Sequence, residues 1–112
     1  MQYATLELSN AFKVLFSLRQ VQAAEMVIAP GDCEGGPDNR HRGADQWLFV
    51  VDGAGEAIVD GHTQTLQAGS LIAIERGQAH EIRNTGDTPL KTVNFYHPPV
   101  CLLYTSLMAR GR

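Results

Sequence analysis

The sequence predicts an all-β fold, an antiparallel sandwich or barrel, on three observations. Short stretches rich in β-branched and aromatic residues recur along the chain, and turns bearing glycine or proline separate them at short spacing. No segment of ten or more residues carries a helical period. With 112 residues the chain has the size of one domain. A chain of that length buries roughly two-thirds of its unfolded surface, enough for a core without disulfide staples.

Met1 to Asn10 forms a short strand or a loose arm, with Ser9-Asn10 as a weak helix-start signal. Phe12 to Arg19 (FKVLFSLR) and Val21 to Ala29 (VQAAEMVIA) read as two strands, and Pro30-Gly31 stops the second. Glu25, the charged residue inside that second strand, is expected to face solvent on an alternating strand. Gly31 to Ala44 (GDCEGGPDNRHRGA) is a loop by composition, and a polar loop of that length inside a domain is commonly functional.

Gln46 to Val51 (QWLFVV) is a strand apolar on both faces, so both faces need cover. Asp52-Gly53-Ala54-Gly55 turns the chain, Glu56 to Asp60 runs back, and Asp60-Gly61 is a two-residue hairpin signal ahead of His62 to Leu66. Ala68-Gly69 turns again, Ser70 to Ile74 is an apolar strand, and Arg76-Gly77 makes the next turn. His80 to Arg83 and Leu90 to Tyr96 are the last strands, on either side of the turn-rich NTGDTP. Pro98-Pro99 ends the last one, after which Val100 to Leu107 adds an edge strand or lies across the surface, and Ser106 to Arg112 frays.

Nine Lys and Arg against twelve Asp and Glu give a net charge of -3. That balance argues against nucleic acid or an anionic membrane as partner, since both call for a basic patch. No apolar run is long enough to span a bilayer. Met1 begins a mixed polar segment without a basic start and apolar run, so a cytoplasmic location is expected. Cys33 and Cys101 lie far apart with no CxxC pattern; they read as reduced thiols, with one disulfide as the alternative. No nucleophile triad can be placed by spacing, and the glycine-rich loop lacks a P-loop lysine and a dinucleotide fingerprint.

Gly69, Gly77, His80 and Asn84 reproduce the spacing of the second motif of the cupin superfamily, with Glu75 where that motif has proline. Counting back from Gly53, the first motif's acidic ligand falls on Gln46 and its two histidines on His41 and Asn39. The chain therefore resembles the cupin superfamily, and within it the small single-domain members described as mannose-6-phosphate-isomerase-like. Several of those similarly carry a histidine, three residues and then Asp-Gln, as His41 and Asp45-Gln46 do. The run Asn94-Phe95-Tyr96-His97-Pro98-Pro99 is also like the end of their last core strand. The resemblance implies one jelly-roll barrel, a double-stranded β-helix, with its core over about residues 12–99, an arm at 1–11 and a tail at 100–112. It also implies a divalent ion (zinc, manganese, iron or nickel) held by His41, Gln46, His80 and Asn39, unless the altered ligand set has emptied the site of metal.

The residues have their own physics. Asn39 and His41 are two apart, so on extended chain they share a face. Gln46 begins one strand and His80 another, and the mouth of a barrel can bring such distant points together. Asp45 and Gln46 point to opposite faces; spacing favours Gln46 inward, whereas a bulge admitting Asp45 would give a two-histidine, one-carboxylate set suited to ferrous iron. His62 is expected in solvent, His97 at the rim, Arg40 and Arg42 on a solvated loop, and Trp47 and Phe49 in core or dimer packing. Cys33 has no base beside it in sequence and receives no catalytic role; no catalytic residue is assigned. The expected function is binding of a divalent metal ion or a small polar molecule by a homodimer. The alternatives are a metal-dependent isomerase or dioxygenase acting on a sugar or small acid, and a non-catalytic structural or regulatory dimer.

Overall fold

The computed structural model describes residues 1–36 and 43–100. Nine strands run through the described residues: β1 (Lys13–Leu18), β2 (Val21–Ile28), β3 (Cys33–Gly36), β4 (Asp45–Asp52), β5 (Ala54–Val59), β6 (His62–Gln67), β7 (Leu71–Ile74), β8 (His80–Asn84) and β9 (Leu90–His97). They form two antiparallel sheets, one ordered β1-β2-β9-β4-β7 and the other β3-β8-β5-β6. The jelly-roll expectation holds. Among the described residues no helix is long and apolar enough to cross a membrane.

Alternation explains why the sheets stack. On β4, Gln46, Leu48 and Val50 are buried while Trp47, Phe49 and Val51 face outward; on β9, Leu90, Thr92, Asn94 and Tyr96 are the buried phase. Leu48, Val50 and Leu90 from one sheet meet Ala57, Leu66 and Ile82 from the other in one core cluster. Asp60-Gly61 makes the expected hairpin: φ values of 48° and 83° give a turn with both central residues left-handed, and Val59 faces His62 across it. Arg19 and Gln20 use the same device between β1 and β2, at φ 49° and 69°, without a glycine or asparagine to announce it.

Two readings of the sequence need correction. The stretch taken wholly as a loop contains β3, whose residues pair with β8 from Cys33↔Arg83 to Gly36↔His80. A backbone ladder at a sheet edge needs no apolar side chains, so composition did not reveal it. Glu25 is not solvent-facing but fully buried, at 0% exposure. Residues 1–12, which carry no strand, supply its cover. Glu25 Oε1 accepts the Glu7 backbone N–H at 3.1 Å, and Oε2 accepts that of Leu8 at 2.9 Å. Lys13, the cross-strand neighbour of Glu25, reaches Glu7 Oε1 at 2.9 Å, completing a charged clasp on the arm. The readings of the tail beyond Val100 lie outside the described residues.

Candidate site at one end of the barrel

Four side-chain positions stand in register across one end of the larger sheet: Gln22 on β2, Tyr96 on β9, Gln46 on β4 and Ile74 on β7. His80 begins β8 in the opposing sheet, paired with Val59 and Gly36. Gln46 and His80 are 6% and 5% exposed. Both line one narrow crevice with Ala44, Ile74, Gln78 and Tyr96. Val100 also lines it, held by its backbone N–H donating to Gln22 Oε1 at 3.2 Å and by Gln22 Nε2 donating back to its carbonyl at 3.5 Å.

The approach to His80 is built from turn chemistry. Gly77 takes φ 88° in the turn between β7 and β8, a conformation L side chains resist, and Gln78 Oε1 accepts the Glu75 N–H at 2.8 Å. Asp60 then fastens Ala79 twice: Oδ1 accepts the Ala79 N–H at 2.9 Å, and the Asp60 N–H donates to the Ala79 carbonyl at 2.8 Å. His80 Nδ1 lies 3.4 Å from the Gln78 carbonyl oxygen; a proton on Nδ1 directed there puts the ring's lone pair on Nε2. Asn84, the last residue of the motif, does structural work. Its Nδ2 donates to the Ile28 and Thr88 carbonyls, each at 2.8 Å, and its Oδ1 accepts the Gly86 N–H at 2.9 Å.

Gln46 is placed from below by a buried polar ladder. Its Nε2 donates to Asn94 Oδ1 at 2.9 Å, Asn94 Nδ2 donates to Thr92 Oγ1 at 2.9 Å, and Thr92 Oγ1 donates to the Met26 carbonyl at 2.7 Å. Asp45 takes the other side of β4, as alternation requires. Its carboxylate accepts the Arg76 backbone N–H at 2.9 Å and the Arg76 guanidinium at 3.4 Å. Those bonds, the backbone one first, hold the Asp45 carboxyl below the usual carboxylate range. An inward Asp45 completing a ferrous set is therefore not what the fold builds.

Of the four expected ligands, Gln46 and His80 come together, whereas Asn39 and His41 lie outside the described residues, as do Arg40, Arg42 and Cys101. His62 is exposed on β6, and His97 is exposed with Nδ1 3.0 Å from the Gln20 carbonyl. Cys33 is free and exposed. Partial desolvation, then the Glu81 carboxylate, pushes its thiol up, which disfavours a nucleophile. Sequence reasoning missed Asn94 and Thr92 as neighbours of the site. A signal existed: both lie in phase with apolar Leu90 on a strand of period two, where polar residues point into the core.

Among the described residues no group of three or more His, Cys, Asp and Glu could hold a metal ion. One imidazole and one amide are two donors of types that suit borderline or hard ions, and a divalent ion would need further ligands or waters to complete its shell. The same pair offers polar contacts for an uncharged ligand.

A family model described as a cupin domain matches residues 24–96. The tetracenomycin polyketide synthase protein TcmJ of Streptomyces glaucescens is 30% identical over 66 residues, covering 59% of this chain and 43% of that protein. This chain therefore matches less than half the length of that curated relative. The crystal structure of BH2720 from Bacillus halodurans superposes with a TM-score of 0.69 at 27% identity, over 81% of this chain and 72% of that one. A cupin 2 conserved barrel domain protein from Salinispora arenicola gives a TM-score of 0.70 at 17% identity, over 100% and 98% of the two chains.

Proposed function

The chain belongs to the cupin domain family, and on that premise we propose that the end of its barrel at Gln46 and His80 binds a divalent metal ion or a small polar molecule. The observation that carries this reading is the meeting of two polar side chains, distant in sequence and both nearly buried, in one crevice. Gln46 donates through its nitrogen to Asn94 and keeps its oxygen for the crevice, and a buried polar atom is retained against its desolvation penalty only when something satisfies it. His80 and Gln46, with His41 and Asn39 from the adjoining segment, would be the ligands. A bound zinc, manganese, iron or nickel ion would act there as a Lewis acid that polarises a ligand's carbonyl or hydroxyl oxygen. The reading includes a cytoplasmic location, in keeping with the free Cys33 thiol.

Metal content of protein purified without added ions or chelators tests it. His80→Ala is expected to lower bound divalent metal at least about tenfold, while His62→Ala, exposed on β6, leaves it unchanged. Equal metal content in the two variants counts against the ligand assignment.

A second reading, a homodimer formed through the outer face of the larger sheet, draws on a different feature. Trp47 stands between Phe95 and Ala73, and Phe49 between Val93 and Leu71, so their outward side chains form a continuous apolar patch. Leu71 is 65% exposed within it. Large apolar patches of this kind mark interaction surfaces. Sedimentation at micromolar concentration is expected to show a dimer, and Phe49→Glu to shift it toward monomer by at least about tenfold in dissociation constant. A wild-type monomer removes this reading.

A further inference from the structure

We propose that Thr92 and Asn94 are positioning residues that lock the Gln46 amide with its oxygen toward the crevice, so that the site selects an electropositive group. The direction of the ladder follows from proton counting alone. The Met26 carbonyl can only accept, so Thr92 must spend its single hydroxyl hydrogen on it, at 2.7 Å. Thr92 Oγ1 can then only accept, and the Asn94 atom 2.9 Å away must be the amide nitrogen. That leaves Asn94 with its oxygen toward Gln46, and the Gln46 atom 2.9 Å from it must again be nitrogen.

Gln46 Oε1 is the one polar atom of that chain of amides left over. Among the described residues no hydrogen-bond partner for it is found, although Gln46 is 6% exposed and lines the crevice. A buried carbonyl oxygen held in one orientation attracts a cation or a donated hydrogen and repels an anionic oxygen. The same counting explains an amide at this position. A carboxylate at 46 would set two acceptors against each other at Asn94 Oδ1, and Asn94 could turn to relieve them only by pulling Thr92 off Met26. The crevice thus has a built polarity, set two layers below its surface.

The proposal rests on the crevice being a binding site, and its test keeps the two failures apart. In ligand-free protein, the Gln46 side-chain NH₂ is expected to exchange with solvent at least about tenfold more slowly than those of exposed Gln20 and Gln67. The near-isosteric Thr92→Val should remove most of that protection. Equal exchange in the wild type overturns the fixed amide, whatever the crevice binds. Mn²⁺ alone is then titrated against two variants. Asn94→Leu is expected to weaken Mn²⁺ binding about 10- to 100-fold and, because Gln46 Nε2 loses its acceptor, to lower the melting temperature as well. Asn94→Asp still accepts from Gln46 Nε2 and is expected to keep or tighten Mn²⁺ binding while lowering the melting temperature. A purely structural Asn94 would make affinity follow stability in both variants, and that result overturns the positioning role. A wild type that leaves the Gln46 and His80 signals unbroadened by Mn²⁺ overturns the preference for a cation and the metal reading with it; the amide exchange then decides the positioning role by itself.

Discussion

Gly55→Ala is expected to destabilise the protein by about 3 kcal/mol, lowering its melting temperature by roughly 12 °C for a domain of this size. Gly55 lies in β5 with Asn84 on one flank and Leu66 on the other. A methyl group built there would overlap the backbone carbonyl oxygen of Arg83 and come within 2.9 Å of Leu90 Cδ2. The carbonyl belongs to β8, which is pinned in the ladder, so it cannot move without breaking the pairing that carries the chain to His80. Gly86→Ala is the control. Its added methyl would meet nothing closer than 3.6 Å, and its loss should stay within about 0.5 kcal/mol. Thermal or urea unfolding reads both, and equal midpoints for the two variants would contradict the tight β5–β8 approach.

Glu25→Gln should cost about 2 kcal/mol, or roughly 8 °C in melting temperature. The carboxylate takes two backbone N–H groups, from Glu7 and Leu8, with one oxygen each. An amide has one oxygen, so the substitution turns one of those bonds into a donor facing a donor. Hydrogen bonds to a buried charge are the stronger class, and losing an acceptor leaves the N–H desolvated and unpaired. The effect should be local as well as global. Amide exchange at Glu7 and Leu8 is expected to accelerate far more than at core positions such as Leu48, because the arm alone loses its anchor. Uniform acceleration across the chain would show that the arm and the barrel open together.

Much of the architecture was legible because it rests on local rules. Asp60-Gly61 announces its hairpin by backbone preference alone, and the alternation in QWLFVV already puts Gln46 in phase with Leu48 and Val50. Gly55 was legible only as a glycine near a turn; its partner is a carbonyl from a strand far along the chain. β3 was not legible at all, since an edge ladder of Cys33 to Gly36 is made by backbone groups that every residue carries. Glu25 misled for a related reason. A strand pattern tells which face a side chain takes, and says nothing of whether an arm from elsewhere will cover that face.

By itself the sequence determined the fold class and the family resemblance and favoured Gln46 over Asp45 as the inward residue, because strand period and turn chemistry act over a few residues. Only the tertiary structure decided that Gln46 shares a crevice with His80, that Asn94 and Thr92 orient its amide, and that Glu25 holds the arm. Each of those depends on which distant strands become neighbours, and hydrogen-bond direction is set only after the partners meet.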